Sequence, residues 1–300
     1  MLNLIRMNGY RITHMACMYV LAVIICFFAI FSISTISMTA EEVESGEYEH
    51  YETPAEAIEA GWEEAEAEDL GITTEEDGEI NISLGLVSEQ PIRADGTVSS
   101  YLAYFYEDAT SGILLVFMTI AVVLFFNREQ SSGFIKNIAT KSSSRVNIYL
   151  SKFIVMIGYM MVAFLILAVA EYIGLMIHYD GELIFGKDIL GDFIPKMSIV
   201  FLLHIAFISG VAMITTITKS NTFGITIGML ANTGFSAFFT LVLEALTGID
   251  INKFLVNYNI GRLNLNSDGD VVTNALLVGI ITIIVYNVIG CAWFSKKDIA

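Results

Sequence analysis

Six apolar runs with few charges recur along this chain, at Met15–Met38, 110–127, 150–177, 196–217, 223–246 and 271–294. Crossing the ~30 Å hydrocarbon layer takes a helix of about 20 residues. Inside lipid, only helices and closed barrels satisfy every backbone polar group. The runs therefore predict an all-α integral membrane protein with six transmembrane helices. Composition agrees: 55% of residues are hydrophobic and 16% charged, where a soluble domain is about a quarter charged. The first run follows Arg6 and Arg11 and ends near Ser37-Met38-Thr39-Ala40, a sequence resembling a signal-peptide cleavage site. It outruns the ~7–15-residue core of a signal peptide, so a retained anchor is expected.

Charge sets the orientation. Between Glu41 and Asp108 stand 21 acidic side chains and one basic residue, Arg93, while the remainder holds 14 Lys+Arg against 11 Asp+Glu. The net charge of −17 is thus local to one segment. Placing the N-terminus inside puts Arg6, Arg11, Arg128, Lys136, Lys141, Arg145, Lys152, Lys219, Lys296 and Lys297 on the cytoplasmic side, opposed only by Glu129 and Asp298. The positive-inside rule then predicts both termini in the cytoplasm of a plasma-membrane protein, with the acidic insert between spans one and two extracellular. Trp293 and Tyr149 fall where an inner aromatic belt is expected, and Tyr101, Tyr104 and Tyr106 where an outer one is.

Three parts follow: an interfacial segment with span one (1–40), the insert (41–109), and spans two to six (110–300). The third part includes a cytoplasmic loop at 128–149 and an outer loop at 248–270, expected to dip back as short re-entrant helices. Within the insert, Thr53-Pro54-Ala55-Glu56 combines an N-cap, a first-turn proline and a capping-box glutamate, predicting a helix over 54–69. Ile80, Ile82, Leu84 and Leu86 alternate with polar residues as a half-buried strand does, and Asp95-Gly96 signals a turn into a second strand. A small acidic α+β insert is expected. Its charge either steers cations and basic peptides or only keeps the segment solvated.

Enzyme motifs are missing. Gly181–Lys187 follows a phosphate-loop pattern, but Asp188 stands where a magnesium-binding Ser/Thr belongs. Asn264, Asn266, Asp268 and Gly269 resemble the start of a calcium loop, yet Ala275 occupies the position of the bidentate glutamate. No paired intramembrane acids are evident, and His204 is expected to be a satisfied core imidazole. Cys17, Cys26 and Cys291 lie in apolar runs with no metal spacing. The expectation is a chain that is not an enzyme, binds no metal or cofactor, and has no nucleic-acid partner.

The 128–149 loop carries the most pattern. Phe134, Ile135 and Ile138 share an apolar edge with Lys136 and Lys141 beside it, as in an amphipathic helix offered to a soluble partner. Glu129, Gly133, Ile135-Lys136-Asn137, Ser144-Arg145 and Lys152, with Tyr10-Arg11 before span one and Phe294–Ile299 after span six, resemble the permease subunits of the ABC-2 family of ATP-binding-cassette transporters. That resemblance covers 1–40 and 109–300. It implies a half-size transmembrane domain pairing with a second copy or paralogue and resting on a separate cytoplasmic ATPase, which holds the ATP and Mg. Glu129, Gly133, Phe134, Ile135, Lys136, Asn137 and Arg145 would form the coupling element. The substrate class it suggests is an exported amphipathic peptide, bacteriocin or antibiotic.

In span five, Gly224 and Gly228 form a small-xxx-small pair suited to close helix approach, while Asn232, Ser236 and Glu244 add polar groups that lipid penalises. These five are the packing and pathway candidates. The alternative is a multi-pass receptor or assembly protein whose acidic domain binds a partner. Six spans and a patterned loop exceed what an anchor needs.

Overall fold

The computed structural model describes residues 1–45, 101–131, 144–178, 190–232, 240, 246, 248, 251–265 and 267–296. Their helices, in chain order, are α1 (Leu2–Thr13), α2 (Ala16–Ser45), α3 (Tyr101–Thr110), α4 (Ile113–Ser131), α5 (Arg145–His178), α6 (Leu190–Thr218), α7 (Asn221–Asn232), α8 (Val256–Arg262) and α9 (Gly269–Lys296), with one short 3₁₀ turn at Asn252–Phe254. No strand occurs among the described residues. The expected α+β architecture of the insert falls on residues outside them.

Four helices (α2, α5, α6 and α9) are long and apolar enough to cross a membrane, and α3 with α4 makes a fifth if the bent pair is one span. The protein is thus a helical, multi-pass membrane protein. The remaining expected span, 223–246, is described mainly as α7, so a sixth crossing lies partly outside the described residues. Residues 101–109, assigned from sequence to the insert, form most of α3 and pack into the helical body: Leu102, Tyr104, Phe105, Tyr106, Asp108 and Ala109 are all buried.

Because the long helices are apolar all round, no polar face dictates which side turns inward. Small residues settle much of it. The α6–α9 interface is the most extensive in the body. It places Gly210 against the Tyr286 ring and Gly279 against Leu202. On the opposite flank Gly174 of α5 lies against Ile33 of α2, and on a third Gly224 and Gly228 of α7 face Val123 and Thr119 of α4. Lipid tails are as apolar as leucine, so close backbone approach supplies the association that the hydrophobic effect does not.

Several buried threonines are satisfied within their own helices. Thr119 donates to Leu115 O (2.8 Å), Thr215 to Val211 O (2.7 Å) and Thr216 to Ala212 O (2.7 Å). His204 is fully buried, with Nδ1 2.9 Å from Val200 O and its ring edge-on to Phe164. The aromatic-belt expectation is corrected for Tyr149, Tyr104 and Tyr106, which are at most 1% exposed. Each is claimed by packing: Tyr149 by Phe126, Phe294 and Gly290, and Tyr106 by Phe193. Tyr104 also donates to Ser32 Oγ (2.9 Å).

Two short helices are tied to the body by polar contacts. In α8, Asn259 donates to Lys253 O and Leu255 O and accepts from Asn274 of α9 (2.9 Å), while Lys196 of α6 donates to Leu265 O. In α1, buried Asn8 donates to Ser151 Oγ of α5 at 2.9 Å. Asn8→Ala removes that tie, a net loss of about 0.5–1.5 kcal/mol. The expected outcome is a looser α1 with an otherwise unchanged body, read as faster tryptic cleavage after exposed Arg6 in nanodiscs.

Candidate functional site

The span formed by α3 and α4 is broken. Its halves meet at 51°. Gly112 supplies the turn with φ +82°, a left-handed conformation that side chains other than glycine rarely adopt. A helix break inside lipid strands carbonyls that need donors. Here Thr110 donates to Glu107 O (2.9 Å) and Ser111 to Asp108 O (2.8 Å). From α7, Asn232 Nδ2 donates to Gly112 O at 2.8 Å. Three short side chains and one glycine thus make the break affordable.

The break turns α3 across the body, so that Asp108 (5% exposed) enters it. Ser32 of α2 donates weakly to Asp108 Oδ1 at 3.5 Å and itself accepts from Tyr104. On the other side stands Glu171 of α5, 0% exposed. Neither Glu171 oxygen meets a hydrogen-bond donor among the described residues, and the charge of Asp108 acts on it. Tyr101 closes the site from above: its hydroxyl donates to Ala168 O (2.8 Å) and its ring stands edge-on to Tyr172.

Asp108 also lines a cleft between α2, α4 and α5. Ser32 and Ser111 share its polar end, and Ile25, Phe28, Ala29, Leu114, Phe117 and Leu167 form the walls. Phe28 and Phe117 lie 5.4 Å apart between centroids. Asp108 of α3 and Glu171 of α5 are thus both buried where these helices pack. The sequence held a signal, since Glu171 is the one acid within 150–177 and an acid inside a span is a candidate by default. Asp108 was hidden among the acids of the insert. What brings the two to one interface is the broken helix, which local pattern does not announce.

Of the sequence-derived candidates, Gly224 and Gly228 lie in the α4–α7 interface and Asn232 caps the break. Glu129 lies in the last turn of α4, and Arg145 opens α5, donating to Ser295 O of α9 (3.3 Å). Gly133, Phe134, Ile135, Lys136, Asn137, Ser236 and Glu244 are outside the described residues. Beside the coupling candidates, Lys152 is 2% exposed. It reaches Phe126 O (3.4 Å) with its ammonium 5.6 Å from the Phe126 ring, and so answers the C-terminal part of α4 with a cation. Asn127 donates to Asn221 (2.8 Å), clipping the same end of α4 to α7. Among the described residues no group of His, Cys, Asp and Glu is arranged to hold a metal.

Residues 94–235 match the family model described as ABC-2 family transporter protein. No curated protein and no solved structure matches the chain. The family match spans α3 to α7, including the broken helix, both buried carboxyls and the loop beginning at Glu129. Over these residues the chain is similar to a family of membrane transport proteins.

Proposed function

We propose, on the match of residues 94–235 to the ABC-2 family transporter model, that this chain is the membrane subunit of an exporter for cationic amphipathic peptides. A separate cytoplasmic ATPase drives it through the 128–149 loop, and a second permease copy or paralogue completes the pathway across the plasma membrane. The family match carries this reading, because it covers the loop and the helices flanking it. ATP-driven closure of the ATPase pair pushes the loop and biases the permease between two states, so the chain contributes differential contacts and no covalent chemistry. Glu129, Gly133, Phe134, Ile135, Lys136, Asn137 and Arg145 form the coupling element, and Gly224, Gly228, Asn232, Ser236 and Glu244 the packing and pathway set. One feature favours a cationic substrate: the 21 acids between Glu41 and Asp108, mostly on an insert read as extracellular.

Affinity purification of the detergent-solubilised native complex tests the coupling. A soluble ATPase is expected to co-purify with the wild-type chain and to be lost from Gly133→Pro with Arg145→Glu. Absence of an ATPase from both forms would sink the exporter and favour a receptor or assembly role for the insert.

A further inference from the structure

Two residues, Lys219 and Ser220, separate α6 from α7. A turn this tight needs a left-handed residue at the end of the first helix, a place usually given to glycine. Here it is Lys219, at φ +55°, whose amide donates to Thr215 O (3.0 Å). Ser220 then caps α7, its Oγ accepting from the amide of Phe223 (3.2 Å). A lysine is strained in this conformation and a glycine is not. Strain kept at a single residue points to a use for its side chain.

That side chain is exposed, and among the described residues nothing pairs with its ammonium. The turn itself is firmly held. Asn221 accepts from Asn127 of α4 (2.8 Å), and a Cβ on Gly224 would stand 2.9 Å from both Thr215 Oγ1 and Val123. From Asn127 the chain runs on through exposed Arg128 into the 128–149 loop. The turn therefore sits beside the base of that loop, at the same end of the body. Next to Lys219, Thr222 is exposed and the Phe223 ring is half exposed. A cation in a fixed place, a second cation at Arg128 and an aromatic side chain suit a protein surface that carries carboxylates opposite them.

We infer that the α6–α7 turn is a second contact surface for the soluble partner that docks on the 128–149 loop, with Lys219 facing an acidic residue of that partner. The inference deepens the proposed coupling to a separate ATPase and rests on that reading. It gives the ATPase a hold on α6 and α7 in addition to α4 and α5. Phospholipid headgroups also accept a lysine beside an aromatic ring, but they leave retention of the ATPase independent of Lys219.

The native complex, captured from detergent through the membrane subunit and washed at one fixed salt concentration, tests the surface. Lys219→Gly, Lys219→Glu and Lys219→Arg are compared with the wild type, and Tm of each full chain is measured in nanodiscs. Lys219→Gly is expected to raise Tm by about 2 °C, because the strain is relieved. The same variant should retain about fivefold less ATPase. Lys219→Glu should retain less again, and Lys219→Arg as much as the wild type. Higher stability with weaker docking is a combination that a role confined to the turn does not produce. Equal retention by the wild type and the Gly and Glu variants, a loss in Lys219→Arg as large as in Lys219→Gly, or a lower Tm for Lys219→Gly would each overturn the assignment. Absence of an ATPase from the wild-type complex would overturn the exporter reading, and this surface with it.

Discussion

Gly228→Leu is expected to remove most of the folded protein from the membrane. Even a Cβ at this position would overlap the Thr119 methyl, and Thr119 is 0% exposed with its hydroxyl committed to Leu115 O. Relief by rotating that side chain would break the bond and strand a hydroxyl. Separating α7 from α4 would undo the neighbouring contact as well, where a Cβ on Gly224 would stand 2.9 Å from Val123. Overpacking of this kind costs about 1–3 kcal/mol, and more where backbones must part. That is a large share of the ~5–15 kcal/mol by which folded proteins persist. Fluorescence-detected size exclusion should report a collapsed monodisperse peak for Gly228→Leu and a smaller loss for Gly228→Ala. A wild-type profile for the leucine variant would contradict the α4–α7 contact.

The second large effect is expected from Gly112→Val, at the break. A β-branched residue at φ +82° carries backbone strain of about 1–2 kcal/mol. Its Cβ would also stand 3.1 Å from Asn232 Oδ1, displacing the side chain that satisfies the Gly112 carbonyl. An unpaired carbonyl at this part-buried site adds about 1–3 kcal/mol. The chain has two responses, to unfold locally or to relax toward a continuous helix, and both change the 51° bend. Spin labels at Ala103 and Arg128 would register this as a shifted or broadened distance distribution. Asn232→Ala should give a milder version of the same change, because the glycine retains its conformation. An unaltered distribution in Gly112→Val would mean that the bend does not depend on Gly112.

What was legible beforehand follows from what is local. Length and hydropathy are read one segment at a time, so α2, α5, α6 and α9 announce themselves as span candidates. Gly224 and Gly228 are legible because a four-residue spacing already places them on one helix face. The rest depends on which surfaces meet. Tyr104, Tyr106 and Tyr149 look like interfacial residues by position, yet each is buried by a neighbour distant in sequence. The break at Ser111-Gly112 interrupts a stretch whose composition continues smoothly on both sides. Without it α3 reads as the tail of an acidic insert, and Asp108 as one more solvated acid. Glu171 was visible by type, but not that α3 turns inward to pack on its helix.

The length of α4 has a consequence for supply. Its 19 residues rise about 28 Å, close to the thickness of the hydrocarbon layer. If one end rests at one boundary of that layer, the break rests near the other, at the depth where acyl chains give way to headgroups. An amphipathic solute concentrates at that same depth by partitioning. A transported solute entering at the break would then come from the population dissolved in the leaflet. Entry would follow the partition coefficient and the amount of lipid, and the concentration in bulk water would matter only through them.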